Sequence, residues 1–210
     1  MIRLDLTDGA HLAAAAAAAA EVLARHGVVL LPTESFYGLG ADPADEAAVE
    51  RVFELKGRPA DRALPVVCSD WQQVESLVAI PDRYRVRLSR IWPAALTVVA
   101  PCRRPLPAAR FDTLAVRIPG HGLLRALLYK VGTLTATSAN RHREPPAVEV
   151  DAARAGLAGE PELALDGGRL AGGRASTLVD LTTDPPRLIR PGPVAWEQAF
   201  DPVTETIRDL

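Results

Sequence analysis

Apolar and polar residues follow one another in segments whose period switches between that of helices and that of buried strands. The alanine-rich segment "HLAAAAAAAAEVLARHG" predicts a helix that Thr7 or Asp8 caps and Gly27 stops. The wholly apolar "VVLLP" is typical of a buried strand, and the glycines and proline of "TESFYGLGADP" indicate a loop. Helical spacing returns in "ADEAAVERVFELKG" and ends at Gly57, so "KGRP" starts at a helix C-terminus and becomes extended before Pro59.

The remaining two thirds of the chain continue to alternate. Strands are predicted in "LPVV", "LTVVA", "TLAVRIP", "TLTATS", "ELALD", "STLVDL" and "RLIRP", and helices in "DWQQVESLV", "DRYRVRLSRIW" and "LLRALLYKVG", around 147–158 and from about Val194 to the end. This order predicts an α/β (α+β) fold with a mixed β-sheet flanked by helices. We find no internal repeat and no long linker, so we expect a single domain over 1–210, with "RHREPP" as its most mobile loop.

Composition narrows the functional classes. Apolar residues make up 48% of the chain and charged residues 24%, the balance of an ordinary globular protein. The net charge of −2 gives no general basic field, so a contact with nucleic acid would need a local patch. Cys68 and Cys102 have neither zinc-ligand nor disulfide-framework spacing, which favours a cytoplasmic protein without metal-binding side chains. The alanine tract lacks a basic leader and is too short to cross a bilayer, so no membrane contact is expected.

One of the chain's two lysines lies among arginines. The sequence has 22 arginines and only Lys56 and Lys130 as lysines, and Lys56 is followed closely by Arg58 and Arg62. Three cations at a helix end and an adjoining extended stretch fit a polyanion such as a triphosphate. The same charges could also merely complement the helix dipole on a solvated surface.

Two further segments carry small polar groups at strand ends. "TATSANR" places Thr137, Ser138 and Asn140 at a sheet edge, where α/β proteins bind ligands, although such groups also cap turns. "LDGGRLAGGRASTLVDL" has glycine pairs that let backbone amides approach an anion, with Ser176 and Thr177 after them. It contains no Walker P-loop, and a simple glycine-rich turn is the alternative.

Two arginines belong to otherwise apolar strands. Arg117 in "TLAVRIP" and Arg190 in "RLIRPG" must each find a partner or a ligand, because an unpaired buried charge is costly. Arg125 falls on a helix and is expected to be exposed, and His121 is expected to cap that helix rather than to act as a base. Cations combined with small hydroxyls suit nucleotide binding with transfer at the α-phosphate.

Seven segments in order resemble the YrdC/TsaC family of threonylcarbamoyl-AMP synthases. They are "GVVLLPTESFYGLGADP", "KGRPADRALPVV", "TLAVRIP", "TSANR", "LDGG", "STLVDL" and "RLIRPG", and they cover roughly Gly27 to Gly192. The resemblance implies a twisted mixed sheet around a concave, positively charged cavity, similar to dihydroxybutanone-phosphate synthase. It also implies a reaction that joins L-threonine, bicarbonate and ATP, with Mg²⁺, into threonylcarbamoyl-AMP and pyrophosphate. A partner transferase would then pass the group to adenosine 37 of tRNA.

The resemblance also implies roles for individual residues. Thr33 and Arg117 are similar to contacts of the L-threonine substrate, and Lys56 and Arg58 to catalytic phosphate ligands. The ATP-binding residues implied in this way are Lys56, Arg58, Arg62, Thr113, Ser138, Asn140, Ser176 and Arg190.

The chain departs from the family pattern at Ser35, at Val67, at Ala94–Ala95 and at His142–Arg143. These changes concern the amino-acid substrate more than ATP. Two alternatives therefore stay open: a carbamoyl-adenylate-forming relative that acts on another amine, and a non-catalytic module with a weak contact to tRNA or other RNA.

Overall fold

The strands of this protein form two mixed sheets. The computed structural model describes residues 1–57, 63–141, 144–196 and 200. In chain order the strands are β1 (Ile2–Asp5), β2 (Val29–Pro32), β3 (Tyr37–Gly40), β4 (Val66–Val67), β5 (Leu96–Pro101), β6 (Thr113–Arg117), β7 (Leu134–Thr135), β8 (Thr137–Ser138), β9 (Leu163–Asp166), β10 (Thr177–Asp180) and β11 (Arg187–Arg190). The first sheet has the order β1-β9-β2-β3-β8 and the second the order β11-β10-β5-β6-β4-β7. Each contains parallel and antiparallel pairs, which confirms the predicted mixed α/β class.

Helices occupy the connections between strands. They are α1 (Leu12–Leu23), α2 (Glu46–Lys56), α3 (Trp71–Leu77), α4 (Asp82–Ile91), α5 (Gly122–Val131) and α6 (Val150–Ala155). The predicted cap Asp8 accepts from the Ala10 amide and opens a short 3₁₀ turn before α1, whereas the Thr7 hydroxyl donates to Asp5. The helix predicted from Val194 lies largely outside the described residues. No described helix is long and apolar enough to cross a membrane.

The segment "TLTATS" forms two strands rather than the single one predicted. Leu134–Thr135 pairs with β4 in the second sheet, and Thr137–Ser138 pairs with β3 in the first. Between them the Ala136 amide donates to the Pro65 carbonyl, so the chain steps from one sheet to the other at this residue. The strands therefore divide into two sheets where one was expected, because neither half of this segment continues the other's ladder.

The segment 37–40 is a strand, where the sequence indicated a loop. Tyr37 and Leu39 are fully buried on one face, and Gly38 and Gly40 alternate with them on the other. A Cβ at Gly40 would lie 2.3 Å from Leu31 Cδ2, so this glycine allows β2 and β3 to pack closely. Glycines are common in turns, which is why this segment resembled a loop, but here they allow two strands to pack closely.

Two hydrophobic cores explain why β2 is apolar throughout. Leu30 belongs to a core that also includes Val98 and Val116 of the second sheet, so the two sheets share this core. Val29 and Leu31 belong to a second core, formed with α1 and α5. A strand that is covered on both faces loses the usual apolar–polar alternation.

Candidate functional site

The step between the two sheets positions the predicted residues Ser138 and Asn140 beside Lys56. The last turn of α2 carries Lys56, and Gly57, in the left-handed conformation at φ 59°, ends the helix there. Lys56 Nζ donates to the Ser138 carbonyl at 2.5 Å and to the Asn140 carbonyl at 2.9 Å. Only 3% of Lys56 is exposed. We call Lys56, Ser138 and Asn140 the lysine cluster.

The side-chain amide of Asn140 is hydrogen-bonded through its nitrogen but not through its oxygen. Its Nδ2 donates to the Glu144 carbonyl, which holds the start of the following loop. Its Oδ1 is buried and has no hydrogen-bond partner among the described residues. A buried acceptor without a donor is costly, and a bound donor would relieve that cost.

Arg117 finds its partner on the other sheet. It ends β6 of the second sheet, and its Nη1 donates to Oε1 of Glu34, which lies in the loop between β2 and β3 of the first sheet. The side chains of Arg117 and Glu34 are 13% and 21% exposed. Burial lowers the pKa of Arg117, and the attraction of Glu34 opposes that shift. The pair thus joins the two sheets through a largely desolvated ion pair.

Arg190 lies within electrostatic reach of this pair. Its Nη2 donates to the Ser176 carbonyl at 2.9 Å, and the Ser176 hydroxyl shares a hydrogen bond of 2.8 Å with Thr97. Burial lowers the pKa of Arg190, and repulsion from Arg117 lowers it further. We call Glu34, Arg117, Ser176 and Arg190 the arginine cluster.

The loop that carries Glu34 is shaped by the predicted substrate contact Thr33. The Thr33 hydroxyl donates to the Phe36 carbonyl at 2.7 Å, and the Thr33 amide donates to the same oxygen at 3.2 Å. Thr33 is 6% exposed, so in this structure its hydroxyl closes the turn. The loop leads directly into β3, whose Gly38 pairs with Ser138, so β3 connects the loop of Glu34 to the lysine cluster.

The structure separates Thr113 from these groups and leaves several predicted residues undescribed. Thr113 begins β6, four residues before Arg117, and its hydroxyl donates to the Arg110 carbonyl at 2.9 Å. Two predicted phosphate ligands, Arg58 and Arg62, lie outside the described residues. So do His142 and Arg143 of the segment expected to be a mobile loop.

Expectations for α5 are met at one residue and not at another. His121 Nδ1 accepts from the Leu124 amide at 3.1 Å, as its predicted capping role requires, and burial lowers the pKa of His121. Arg125 was expected to be exposed, but the structure leaves it only half-exposed on α5. Its Nε has no partner in the described part of the chain.

Sequence reasoning missed Glu34 and Thr97. Arg117 was recognised as a charge in need of a partner, but the distance of 83 residues along the chain hid which carboxylate it would meet. A carboxylate directly after a buried strand was the available signal for Glu34. Nothing in "ALTVV" distinguishes Thr97 from an ordinary strand threonine.

Gly192 supports the arginine cluster by close backbone contact, which makes it a target for substitution. A Cβ at Gly192 would lie 2.2 Å from the Thr177 amide nitrogen and 2.6 Å from the Ala175 carbonyl oxygen. We expect Gly192→Ala to push this segment away from Ser176 and to lower the free energy of unfolding by about 1–3 kcal/mol. Urea denaturation measures the change. Gly120→Ala is the control, because a Cβ there meets nothing within 4 Å. Equal stability of the two variants would contradict the contact.

Fold and site together define a mixed α/β protein in which two buried cations, Lys56 and Arg117, lie where its two sheets are connected. These are the groups with which proteins recognise phosphates and carboxylates. Among the residues that the structure describes, no three His, Cys, Asp or Glu side chains come together as a metal site would require.

Comparison with known proteins identifies the family. The Sua5/YciO/YrdC family model, described as "Telomere recombination", matches residues 21–192. The threonylcarbamoyl-AMP synthase of Bacillus subtilis (strain 168) is 37% identical over 188 residues, which cover 87% of this chain and 54% of that relative. That of Shigella boydii serotype 4 is 39% identical over 165 residues, covering 74% of this chain and 87% of the relative. The chain therefore belongs to the Sua5/YciO/YrdC family.

Solved structures agree with this assignment. Pyrococcus abyssi Sua5, solved in complex with L-threonine, superposes with a TM-score of 0.86 at 33% identity, over 100% of this chain and 62% of that one. Escherichia coli YciO, at 22% identity and a TM-score of 0.75, has the same fold. The chain spans about half the length of the Bacillus and Pyrococcus relatives that it matches.

Proposed function

We propose that this chain is a threonylcarbamoyl-AMP synthase, a nucleotidyltransferase acting on L-threonine, bicarbonate and ATP. The observation that carries the proposal is that two buried cations lie where the sheets are connected, Lys56 at the step between them and Arg117 in the ion pair that joins them. The names of its relatives and the threonine complex of P. abyssi Sua5 support it. We place the reaction in the cytoplasm, with the product handed to a tRNA threonylcarbamoyltransferase.

The proposed chemistry has two steps. The amine of threonine attacks bicarbonate to give a carbamate and water, and a carbamate oxygen then attacks the α-phosphorus of ATP. The bond from that phosphorus to the bridging oxygen breaks, and pyrophosphate leaves. Positioning and stabilisation of negative charge do most of the catalytic work in such transfers. Mg²⁺ enters in this proposal with its ATP complex, bound by triphosphate oxygens.

The residue roles follow the two clusters. Lys56 and Arg58 stabilise the pyrophosphate leaving group, Lys56 through a charge fixed beside Ser138 and Asn140, and Arg117 and Thr33 contact threonine. The proposed ATP-binding residues are Lys56, Arg58, Arg62, Thr113, Ser138, Asn140, Ser176 and Arg190. Of these, Thr113 is the one that the described structure sets apart from both clusters, at the far end of β6.

Pyrophosphate release tests the proposal. The purified chain is incubated with Mg-ATP, bicarbonate and either L-threonine or one of several other amino acids, and adenylates are identified by mass. We expect release that requires both threonine and bicarbonate, with threonylcarbamoyl-AMP as the product. A carbamoyl-adenylate of a different amine would favour the alternative substrate. No turnover with any amine would contradict the enzyme assignment.

An arginine-rich segment favours RNA contact as a second candidate function. Residues 82–112 contain seven arginines and two aspartates, whereas the whole chain has a net charge of −2. Near the start of β6, Phe111 is 88% exposed, and the guanidinium of Arg110 lies 5.3 Å from its ring centre. Exposed aromatic rings and arginines bind unstacked bases and phosphates. RNA affinity that falls steeply with salt would support this contact, and a flat salt dependence would contradict it.

A further inference from the structure

The Glu34 carboxylate is only half satisfied. Its Oε1 accepts from Arg117, while its Oε2 is buried and has no hydrogen-bond partner among the described residues. An ionised oxygen without a donor in a desolvated place is costly. The loop around it is firmly built, because the Thr33 hydroxyl closes the turn and the Ser35 carbonyl accepts from the Gly172 amide. The unpaired acceptor oxygen is thus held in place.

Three residues with basic side chains surround or influence Glu34. Arg117 is in contact with it, Arg190 lies within electrostatic reach of Arg117, and His121 interacts electrostatically with Glu34. Burial lowers the pKa of His121, and its Nδ1 already accepts a hydrogen bond from the Leu124 amide. A largely buried carboxylate therefore lies against the Arg117 guanidinium at a site proposed to receive an amino acid.

We propose that Glu34 Oε2 accepts a hydrogen bond from the α-amino group of the amino-acid substrate while Arg117 binds its α-carboxylate. This inference rests on the proposed function and adds a residue to it. In a zwitterionic α-amino acid the ammonium and carboxylate groups are attached to the same carbon, and the adjacent Arg117 and Glu34 offer the complementary pair of charges. Glu34 would then select α-amino acids over α-hydroxy acids and hold the nitrogen that attacks bicarbonate. A site that hydrogen-bonds a substrate group discriminates strongly against an analogue that lacks this group, because the buried partner is then left unpaired.

A purely supporting role for Glu34 makes a different prediction. If Glu34 only orients Arg117, its loss weakens recognition of the carboxylate, which amino acids and hydroxy acids share. Binding of both ligands would then fall by the same factor. If Glu34 receives the amine, only the ligand that has an amine is affected. The comparison of two ligands therefore separates positioning of Arg117 from contact with the substrate.

The experiment is a calorimetric titration of the full chain in the presence of a non-hydrolysable ATP analogue and Mg²⁺. The ligands are L-threonine and 2,3-dihydroxybutanoate of matching configuration, in which a hydroxyl replaces the amine. We expect the unaltered protein to bind threonine about 10–100-fold more tightly, the value of a hydrogen bond to a charged group. In Glu34→Gln this preference should collapse to within about threefold, through weaker threonine binding alone. Glu54→Gln is the control, because that exposed carboxylate on α2 pairs only with Arg51 in the described structure.

Each outcome decides the inference. A preference for threonine that Glu34→Gln abolishes supports it. Parallel loss of both ligands in Glu34→Gln, or a variant that keeps the full preference, overturns it and leaves the proposed function standing. Equal binding of the two ligands by the unaltered protein also overturns it, and this measurement does not depend on the variant's folding. Failure of the unaltered protein to bind threonine at all overturns both proposals.

Discussion

Lys56→Met is expected to be destabilised by about 2–4 kcal/mol and to lose pyrophosphate release. Methionine keeps the length of the side chain but cannot donate to the carbonyls of Ser138 and Asn140. Each buried acceptor left unpaired costs about 1–3 kcal/mol, and Lys56 is only 3% exposed. Denaturant unfolding measures the loss of stability, and the threonine-dependent assay measures the loss of turnover.

Lys130→Met is the matched control, because Lys130 is the chain's other lysine and is exposed near the end of α5. This variant should remain within about 0.5 kcal/mol of the unaltered protein. If Lys56→Met is as stable as Lys130→Met, the two hydrogen bonds contribute nothing to folding. If it is destabilised but turns over normally, Lys56 supports the step between the sheets and has no part in the chemistry.

Arg117→Met is expected to be the more destabilising substitution, by about 3–5 kcal/mol. It leaves the Glu34 carboxylate largely buried without its cation, and breaking one partner of such a pair is strongly unfavourable. The double variant Arg117→Met with Glu34→Met removes both charges and should recover most of the lost stability, because apolar groups of similar size replace the pair. Denaturant unfolding of the single and double variants gives the coupling free energy directly.

Arg25→Met provides the comparison with an exposed ion pair. Arg25 and Glu21 lie one turn apart at the end of α1, and their side chains are 78% and 73% exposed. Loss of such a pair costs less than about 1 kcal/mol. A cost for Arg117→Met no larger than that for Arg25→Met would show that water screens the Arg117–Glu34 pair. The proposed amino-acid site would then lose its electrostatic basis.

The two clusters differ in how far the sequence could anticipate them. Lys56, Ser138 and Asn140 were singled out from their residue types, and the structure brings all three together. The hydrogen bonds of Lys56 were not predicted. The sequence suggested that Lys56 binds phosphate, whereas in the structure it donates to two backbone carbonyls. Arg117 was recognised because a charge in an apolar strand needs a partner. The same argument was wrong for Arg190, because β11 is a largely exposed strand. Their neighbours Glu34 and Thr97 were not recognised.

By itself the sequence determined the helices of the described residues, most strands and the mixed α/β class, because hydrophobic periodicity and end signals act over a few residues. It also determined which cations are unusual, since a charged residue within an apolar segment stands out locally. Only the tertiary structure decided that the strands form two sheets, that 37–40 is a strand and that Glu34 meets Arg117. Those outcomes depend on contacts between segments far apart in the chain, 83 residues for Glu34 and Arg117, whose free energies are realised only when the two sheets close on one core.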